Sequence, residues 1–237
     1  MVKAIFDVSG KDYSKYVKIE FALGPGYYVT AKGGLEITKD FLDKVKARMT
    51  ELCEQDLPIV KSTISTAAAR ELFKNQGMKD KDELFKFRRS STVNVYELDG
   101  YYDYFYGFMF PSTRYIKYFD LVEYKDGFVL MLPTKDEPNA VSEFKPMDKI
   151  FDALMTTTDW GEKMGIDTVG GLNMQICKGS INDVIMVQEA LQERRIAEIA
   201  REIASRKGVK FVMIAGPSSS GKTSFALLKS IRPSWLQ

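Results

Sequence analysis

The feature that most constrains this chain is a glycine- and serine-rich motif near the end of the sequence. Residues 216–223 read G-P-S-S-S-G-K-T and match the pattern G-x-x-x-x-G-K-[ST]. An apolar run at residues 211–215 precedes the motif, and Ser224 begins a segment that can continue as a helix. A phosphate-binding loop requires this order of strand, loop and helix. The sequence therefore predicts a buried strand, a phosphate-binding loop and a helix here.

The residue types in this motif suit a nucleotide phosphate. Gly216 and Gly221 allow backbone angles at which successive N–H groups can point at an anion. The Lys222 ammonium supplies charge for the β- and γ-phosphates, and the Thr223 hydroxyl can ligate Mg²⁺. We therefore predict ATP and Mg²⁺ as cofactors. The predicted cofactor-binding residues are Gly216, Pro217, Ser218, Ser219, Ser220, Gly221, Lys222, Thr223 and Ser224, with Thr223 as metal ligand. The alternative is a Ser/Gly turn between strand and helix that binds nothing.

The chain carries too little sequence after the motif for a complete P-loop domain. Such a domain needs further parallel strands, one of them ending in an Asp that helps to hold Mg²⁺. Only 14 residues follow Thr223, and Pro233 interrupts the helix expected there. We therefore expect the chain to be truncated just after the P-loop.

Composition excludes several classes of function. The chain has no histidine, which rules out Ser-His-Asp and Cys-His catalysis and histidine zinc sites within it. The net charge of +2 argues against a nucleic acid or an anionic membrane as partner. Cys53 and Cys177 form no metal-like spacing, and no signal sequence or membrane-spanning run is present. We therefore expect a cytoplasmic protein.

Residues 1–133 are predicted to form an α+β domain with a largely antiparallel sheet. Alternating and β-rich runs predict strands at residues 2–8, 17–23, 27–29, 59–64, 92–97, 101–110, 116–124 and 128–132. Helices are predicted from the N-cap Thr38 to about Glu54, and over residues 67–76 with Gly77 closing the second. Asp-Gly pairs at 99–100 and 126–127 predict hairpin turns.

The rest of the chain is predicted to be helical up to the P-loop. Residues 134–207 form a linker and helical connector, with helices at 147–164 and 172–178 and a long helix after Ser180. Residues 208–237 then begin an incomplete P-loop domain. The predicted fold class is α+β: an N-terminal domain with antiparallel sheet and helices, a helical connector, and the first strand-loop-helix of a P-loop domain.

An aromatic run at residues 101–110 allows two interpretations. It could stack bases or cage a ligand, or its alternate rings could pack on a sheet face. We favour packing. Asp103 within the run is either a polar anchor for a ligand or a buried, hydrogen-bonded residue. The charged stretch at residues 79–89 mixes both signs, and we interpret it as a solvated face.

Residues 19–132 resemble the second N-terminal domain of threonyl-tRNA synthetases, which is their editing domain. The resemblance rests on short stretches that keep their order along the chain. They are Gly24-x-Gly26-Tyr27-Tyr28, Asp56-Leu57-Pro58-Ile59, Ala69-x-Glu71-Leu72-Phe73-x-x-Gln76-Gly77, Val93-x-Val95-Tyr96, and Pro111-Ser112-Thr113 leading to Ile116-Lys117.

The residues that perform editing in that family are missing here. The family has an H-x-x-x-H pair, and its second motif, Asp-Leu-Cys-x-Gly-Pro-His, matches Asp103 to Met109. Phe105 stands in place of the cysteine and Met109 in place of the histidine. The resemblance therefore implies a domain without hydrolytic editing, in which an apolar pocket or a filled core remains.

The whole chain is also similar to bacterial proteins in which such a region precedes a kinase domain of the phosphoribulokinase/uridine kinase family. That resemblance rests on the P-loop and on residues 101–107 and 165–173. It implies phosphoryl transfer from ATP-Mg to a uridine- or cytidine-type nucleoside in the complete protein, with this chain inactive as a kinase. Two alternatives stay open. The first is a non-catalytic module that binds an RNA end, an amino acid or a nucleotide. The second is a structural domain that forms a homo-oligomer.

Overall fold

The computed structural model describes residues 1–231, with side chains described as far as Ala226. The interruption expected at Pro233 lies outside these residues. The chain divides into two compact units, residues 1–174 and a second unit from Gln175 onward. Helices and two antiparallel sheets make up the described part, so the predicted α+β class is confirmed.

The elements of the described chain are as follows. The strands are β1 (Tyr16–Leu23), β2 (Gly26–Lys32), β3 (Val60–Ser65), β4 (Thr92–Leu98), β5 (Tyr101–Asp103), β6 (Asp120–Tyr124) and β7 (Gly127–Met131). The helices are α1 (Val2–Val8), α2 (Lys39–Glu54), α3 (Thr66–Asn75), α4 (Lys79–Lys86), α5 (Asp148–Met164), α6 (Val169–Lys178), α7 (Ile181–Ser205) and α8 (Lys222–Ile231), with a 3-10 turn at Thr113–Tyr115.

A four-stranded antiparallel sheet in the order β1-β2-β7-β6 is the centre of the first unit. Because side chains alternate along a strand, its two faces support separate cores. On one face, Val29 and Phe128 pack with the apolar sides of α1 and α2. On the other, Tyr28 and Val129 pack with Phe151 of α5. Helices therefore cover both faces of this sheet.

A second, three-stranded sheet in the order β3-β4-β5 lies in the same unit. Ala69 and Phe73 of α3 and Phe85 of α4 pack against Val93 and Val95 of β4. The predicted Asp99-Gly100 turn joins β4 and β5 as a two-residue loop, in which both residues have positive φ. This sheet and its two helices hold the start of the segment that follows β5.

Helix α2 confirms the sequence prediction closely. The Thr38 hydroxyl accepts a hydrogen bond from the Phe41 backbone N–H at 3.2 Å, as expected of an N-cap. The predicted apolar face is buried and consists of Leu42, Val45, Met49 and Leu52. Helix α3 likewise begins at a side-chain cap, because Ser65 accepts from the Ala68 N–H at 3.1 Å.

Three predicted strands are wrong in whole or in part. Residues 2–8 form helix α1, because Met1, Ala4, Ile5 and Val8 recur at helical spacing and reach one core. The strand predicted at residues 101–110 ends at Asp103, and the strand predicted from residue 116 begins only at Asp120. Residues 104–112 have no sheet neighbour along most of their length, so the β-rich composition is not enough to extend the ladder.

In the second unit, the strand predicted before the P-loop is not formed. Residues 209–217 are neither helix nor strand, and residues 209–216 are exposed. A parallel strand needs neighbours to satisfy its backbone N–H and C=O groups, and the described part of this unit contains no strand. Among the described helices, none combines the length and apolar character needed to cross a membrane.

Candidate functional site

The segment after β5 exposes several aromatic rings, and we call residues 104–110 the aromatic loop. Tyr106 is 93% exposed, Phe108 96% and Phe110 56%. Single exposed apolar side chains are common, but contiguous apolar patches on a folded domain mark binding surfaces. The packing predicted for this run holds for its first residues: Tyr101 is buried, and Tyr102 and Tyr104 pack against the core of the smaller sheet.

Cationic side chains accompany the rings of this loop. The Arg88 guanidinium donates a hydrogen bond to the Tyr104 hydroxyl at 2.7 Å. The Lys61 ammonium lies 5.1 Å from the centroid of the Phe108 ring. Cations at this distance interact favourably with the ring face. The surface thus alternates flat apolar groups with positive charges.

At the end of the aromatic loop, Phe110 also lies near a second ring and a cation. The Phe110 and Tyr115 rings are stacked, with centroids 5.6 Å apart and planes 16° from parallel. The Arg114 guanidinium lies 5.9 Å from the Tyr115 centroid. A further ring and cation therefore extend the surface beyond the loop itself.

Asp103 fixes the beginning of the aromatic loop. Its carboxylate is buried, forms a close ion pair with Lys81, and accepts a hydrogen bond from the Tyr104 backbone N–H at 2.6 Å. The Lys81 ammonium also lies 5.8 Å from the centroid of the Phe73 ring in the core of the smaller sheet. Asp103 is therefore a buried, hydrogen-bonded residue, as one of the two interpretations of the sequence expected.

Thr113 fixes the end of the loop. Its backbone N–H donates to the Leu57 carbonyl at 3.0 Å, and its hydroxyl accepts from the Leu57 N–H at 2.9 Å. The same hydroxyl donates to the Leu52 carbonyl at the end of α2. Pro111 accepts at its carbonyl from the Ile59 N–H at 2.9 Å. The Pro111-Ser112-Thr113 stretch therefore acts as a structural clamp.

Phe105 and Met109, which replace the cysteine and histidine of the resembled motif, lie at the surface. They are 40% and 37% exposed. The Tyr96 hydroxyl donates to the Gly107 carbonyl at 2.6 Å and so holds the middle of the loop. The closed apolar pocket or filled core expected at these positions is not formed. In the described residues, no group of three or more Cys, Asp or Glu side chains is placed to hold a metal ion.

A groove of about 540 Å³ opens between the end of α2 and the residues after the 3-10 turn. Its lining residues are Thr50, Cys53, Glu54, Asp56, Arg114, Ile116, Lys117 and Phe119. Arg114 and Asp56 form an ion pair at 3.3 Å. Burial raises the pKa of the Cys53 thiol, which therefore stays protonated and unreactive at neutral pH. The groove offers charged and apolar contacts but no nucleophile.

The predicted P-loop residues come together in an exposed loop that runs into α8. Gly216, Pro217, Ser218, Ser219, Ser220 and Gly221 form the loop, and Lys222, Thr223 and Ser224 form the first turn of the helix. The Lys222 ammonium donates to the Gly216 carbonyl at 2.9 Å and to the Pro217 carbonyl. The predicted contacts of these residues with ATP and Mg²⁺ stay predictions.

Sequence reasoning missed Lys61, Lys81 and Arg88 as partners of the aromatic and acidic groups. The sequence predicts a solvated face for the stretch that contains Lys81 and Arg88. One feature of the sequence could have indicated these contacts. Cations alternate with Phe85 and Phe87 in and just after a short helix, and this order places some charges beside rings.

Comparisons with known proteins relate part of this chain to threonine–tRNA ligases. No protein-family model matches it. The chain is 30% identical over 112 residues to the threonine–tRNA ligase of Bacillus velezensis, which is 45% of this chain and 17% of the relative. It is 28% identical over 134 residues to that of Thermotoga maritima, or 54% of this chain and 20% of the relative. The chain therefore matches about half of its own length to about a fifth of these relatives.

These relatives contradict the predicted nucleoside kinase function. Threonine–tRNA ligases point to a synthetase-derived domain, so the kinase and transferase class implied by the resemblance to the phosphoribulokinase/uridine kinase family is wrong. The physical reason for the error is that the motif specifies a loop and not a domain. A P-loop domain requires a parallel sheet around the loop, and the described part of the second unit has no strand.

Proposed function

We propose that residues 1–133 form a degenerate editing-type domain that binds a single-stranded RNA end without catalysing a reaction on it. The observation that carries the proposal is the exposed aromatic loop with cations beside its rings. Proteins bind single strands by stacking bases on aromatic side chains and neutralising phosphates with Lys and Arg. Relatives named threonine–tRNA ligase make a tRNA end the best candidate.

The near-neutral net charge of the chain argues against a broad nucleic-acid-binding face but is compatible with a short single strand. A short single strand touches only a small surface, so the local distribution of charge decides the interaction. Lys61, Arg88 and Arg114 all lie beside rings of this surface. The Asp103 carboxylate nearby is buried and paired with Lys81, which removes it as a source of repulsion.

The absence of chemistry follows from the same residues. Histidine is missing from the sequence, and Phe105 and Met109 cannot transfer a proton or ligate a hard metal ion. The ester of an aminoacylated RNA bound here would therefore meet rings and cations but no general base at these positions. Binding without turnover is the expected behaviour.

A fluorescence anisotropy titration with a labelled single-stranded RNA, matching the 3′ end of a tRNA, tests the proposal. We expect a dissociation constant on the order of 1–10 µM at low salt. Tyr106→Ala and Phe108→Ala should each weaken binding by about fivefold or more, because stacking on one ring contributes roughly 1–3 kcal/mol. Phe211→Ala removes a ring that is 88% exposed in the second unit, and serves as the matched control.

Two results would overturn the proposal. One is an affinity that the loop variants leave unchanged. The other is an equal loss with Phe211→Ala, since the effect would then be that of any exposed ring. A molecular mass that rises with protein concentration in the unchanged protein, but not in Tyr106→Ala, would instead support the homo-oligomer.

Other expectations from the sequence stay predictions. Binding of ATP and Mg²⁺ at residues 216–224 is best tested by titrating MgATP into the full chain and into Lys222→Ala. A cytoplasmic location, suggested by the unpaired Cys53 and Cys177, would be tested by fractionation of the source cells.

A further inference from the structure

Helix α1 contacts both sheets of the first unit. Ala4 and Ile5 are buried in the core on one face of the larger sheet. The Phe6 ring lies 5.0 Å from the Tyr101 ring of β5, measured between centroids, and so contacts the smaller sheet. This short helix therefore connects the larger sheet to the hairpin that leads into the aromatic loop.

Charged side chains extend this connection to the Asp99-Gly100 turn between β4 and β5. The ammonium of Lys3, which is 6% exposed, lies 3.1 Å from a carboxylate oxygen of Asp99. The Arg48 guanidinium of α2 lies 3.9 Å from the same oxygen. The turn thus carries one carboxylate that faces two cations, one from α1 and one from α2.

Both cations also have partners on their own helices. The Lys3 ammonium donates to Oδ1 of Asp7 at 2.8 Å, and the Arg48 guanidinium donates to Oδ2 of Asp7 at 2.9 Å. Arg48 forms a further ion pair with Glu51 at 2.8 Å. Loss of the Asp99 charge therefore leaves neither cation unpaired, and the effect of that loss is confined to the contact between the turn and the two helices.

The conformation of the turn does not require the Asp99 carboxylate. Asp99 has a φ of 48°, and asparagine adopts this left-handed conformation as readily as aspartate. The Gly100 N–H donates to the side chain of Glu97 at 2.5 Å, so the turn has its own hydrogen bond. The contacts of Asp99 with Lys3 and Arg48 are therefore separate from the local chemistry of the turn.

From these contacts we propose that Asp99 is a positioning residue for the aromatic loop. It docks the β4-β5 turn on α1 and α2 and thereby holds β5, which ends at Asp103, where the loop begins. Thr113 holds the other end of the loop on the Leu52 carbonyl of α2. The purpose of this arrangement rests on the proposed RNA binding, but the docking itself is measurable without RNA.

Amide hydrogen exchange of the full ¹⁵N-labelled chain, without RNA, tests the docking. Asp99→Asn removes the charge and keeps the backbone conformation. We expect the amides of residues 101–104 to exchange about fivefold faster or more, and those of β2 and β7 to be unchanged. Asp126→Asn makes the same chemical change at an exposed position in the β6-β7 turn, and should alter neither set of amides.

A double-mutant cycle tests whether Asp99 acts through Lys3. Lys3→Met removes the cation but leaves Asp7 paired with Arg48. In the double variant Lys3→Met/Asp99→Asn, exchange of residues 101–104 should be slower than the product of the two single effects, because both substitutions remove the same contact. Independent effects that multiply would contradict this pairing.

Affinity for the labelled single-stranded RNA tests the positioning role. Asp99→Asn should weaken binding by about threefold, because a less ordered loop must be ordered when it binds, and Asp126→Asn should not. Unchanged exchange in Asp99→Asn, or an equal increase in Asp126→Asn, would overturn the docking. Faster exchange with unchanged RNA affinity would overturn the positioning role. A chain that binds no RNA overturns the proposed function instead, and the exchange rates then decide the docking by themselves.

Discussion

The side-chain hydroxyl of Thr113 donates a hydrogen bond to the backbone carbonyl of Leu52, which lies 61 residues earlier in the chain. The same hydroxyl accepts from the Leu57 N–H at 2.9 Å. Thr113 is 3% exposed, so water cannot replace either bond. One side chain thus connects the end of α2 to the end of the aromatic loop.

Thr113→Val should destabilise the protein by roughly 1–3 kcal/mol, because it leaves the Leu57 N–H and the Leu52 carbonyl buried without partners. Urea unfolding followed by circular dichroism measures the change. Thr157→Val in α5 is the matched control: its hydroxyl bonds an exposed helix carbonyl, and its change should stay within about 0.5 kcal/mol. Equal effects of the two substitutions would contradict the role of Thr113.

The Lys81–Asp103 pair should behave as one energetic unit. Lys81→Met or Asp103→Leu alone leaves a charge with little access to water, and we expect each to cost about 3 kcal/mol in unfolding free energy. The double variant should lose clearly less than the sum of the two, because no unpaired charge remains. A double-mutant cycle by urea unfolding tests this, and additive losses would show that the residues do not interact.

Close packing at Gly26 predicts a steric effect. A Cβ atom there would lie 2.5 Å from the Leu130 carbonyl and 2.8 Å from a Val129 methyl group, where β2 pairs with β7. Gly26→Ala should therefore destabilise the protein by about 2 kcal/mol or more. The matched control is Gly161→Ala in α5, where the nearest atom is 3.6 Å away. It should stabilise by roughly 0.5–1 kcal/mol, since alanine favours helix. Thermal unfolding of both variants measures the difference in sign.

The ionic contacts of Glu162 predict a loss of stability in acid. Lys18 and Lys32 donate hydrogen bonds to this carboxylate at 3.0 Å each, and they hold its pKa below the ordinary 4.5. A lowered pKa in the folded state stabilises the fold above pH 4.5, and that contribution is lost as the pH falls through the folded-state pKa. Urea midpoints measured below pH 4.5 should fall less steeply in Glu162→Gln than in the unchanged protein.

The same contacts predict that the stability contributed by Lys18 is lost at high pH. Burial acts to lower the pKa of Lys18, but the hydrogen bonds to Glu162 and Asp167 and the charge of Glu20 outweigh it and raise the pKa above 10.5. A raised pKa stabilises the fold below pH 10.5 and loses this contribution as the pH rises through the folded-state value. Stability measured above pH 10.5 should decline less steeply in Lys18→Met, and identical profiles would contradict the prediction.

The sequence correctly predicted those elements that are determined by residues close together in the chain. Helix α2 has its N-cap at Thr38 and an apolar face at helical spacing, so its limits follow from nearby residues. The hairpin at Asp99-Gly100 follows from two residues that accept positive φ. The sequence predicted a strand in place of helix α1, because a segment of seven residues is too short to distinguish the periodicity of a helix from that of a strand.

The candidate site depends on contacts that no local pattern encodes. Arg88 meets Tyr104 and Lys81 meets Asp103 only because α3 and α4 pack on the smaller sheet. The exposure of Phe108 depends on β5 ending at Asp103, although its partner strand β4 continues past this point to Thr92, so the β-rich composition of the run does not decide where the pairing ends. The aromatic run was therefore recognised from the sequence, but its exposure was not.

The pairing of β2 with β7 has a consequence for how the chain folds. Gly26 pairs with Met131, so the ladder joins segments separated by roughly 100 residues, and the whole β3-β4-β5 sheet lies between them. During synthesis, β1 and β2 can pair as a hairpin between α1 and α2, but β7 can join them only after it has left the ribosome. The smaller sheet, whose pairings are closer in sequence, can form in that interval. We therefore expect the pairing of β7 with β2 to limit the folding rate. The smaller sheet, which holds the start of the aromatic loop, should form earlier.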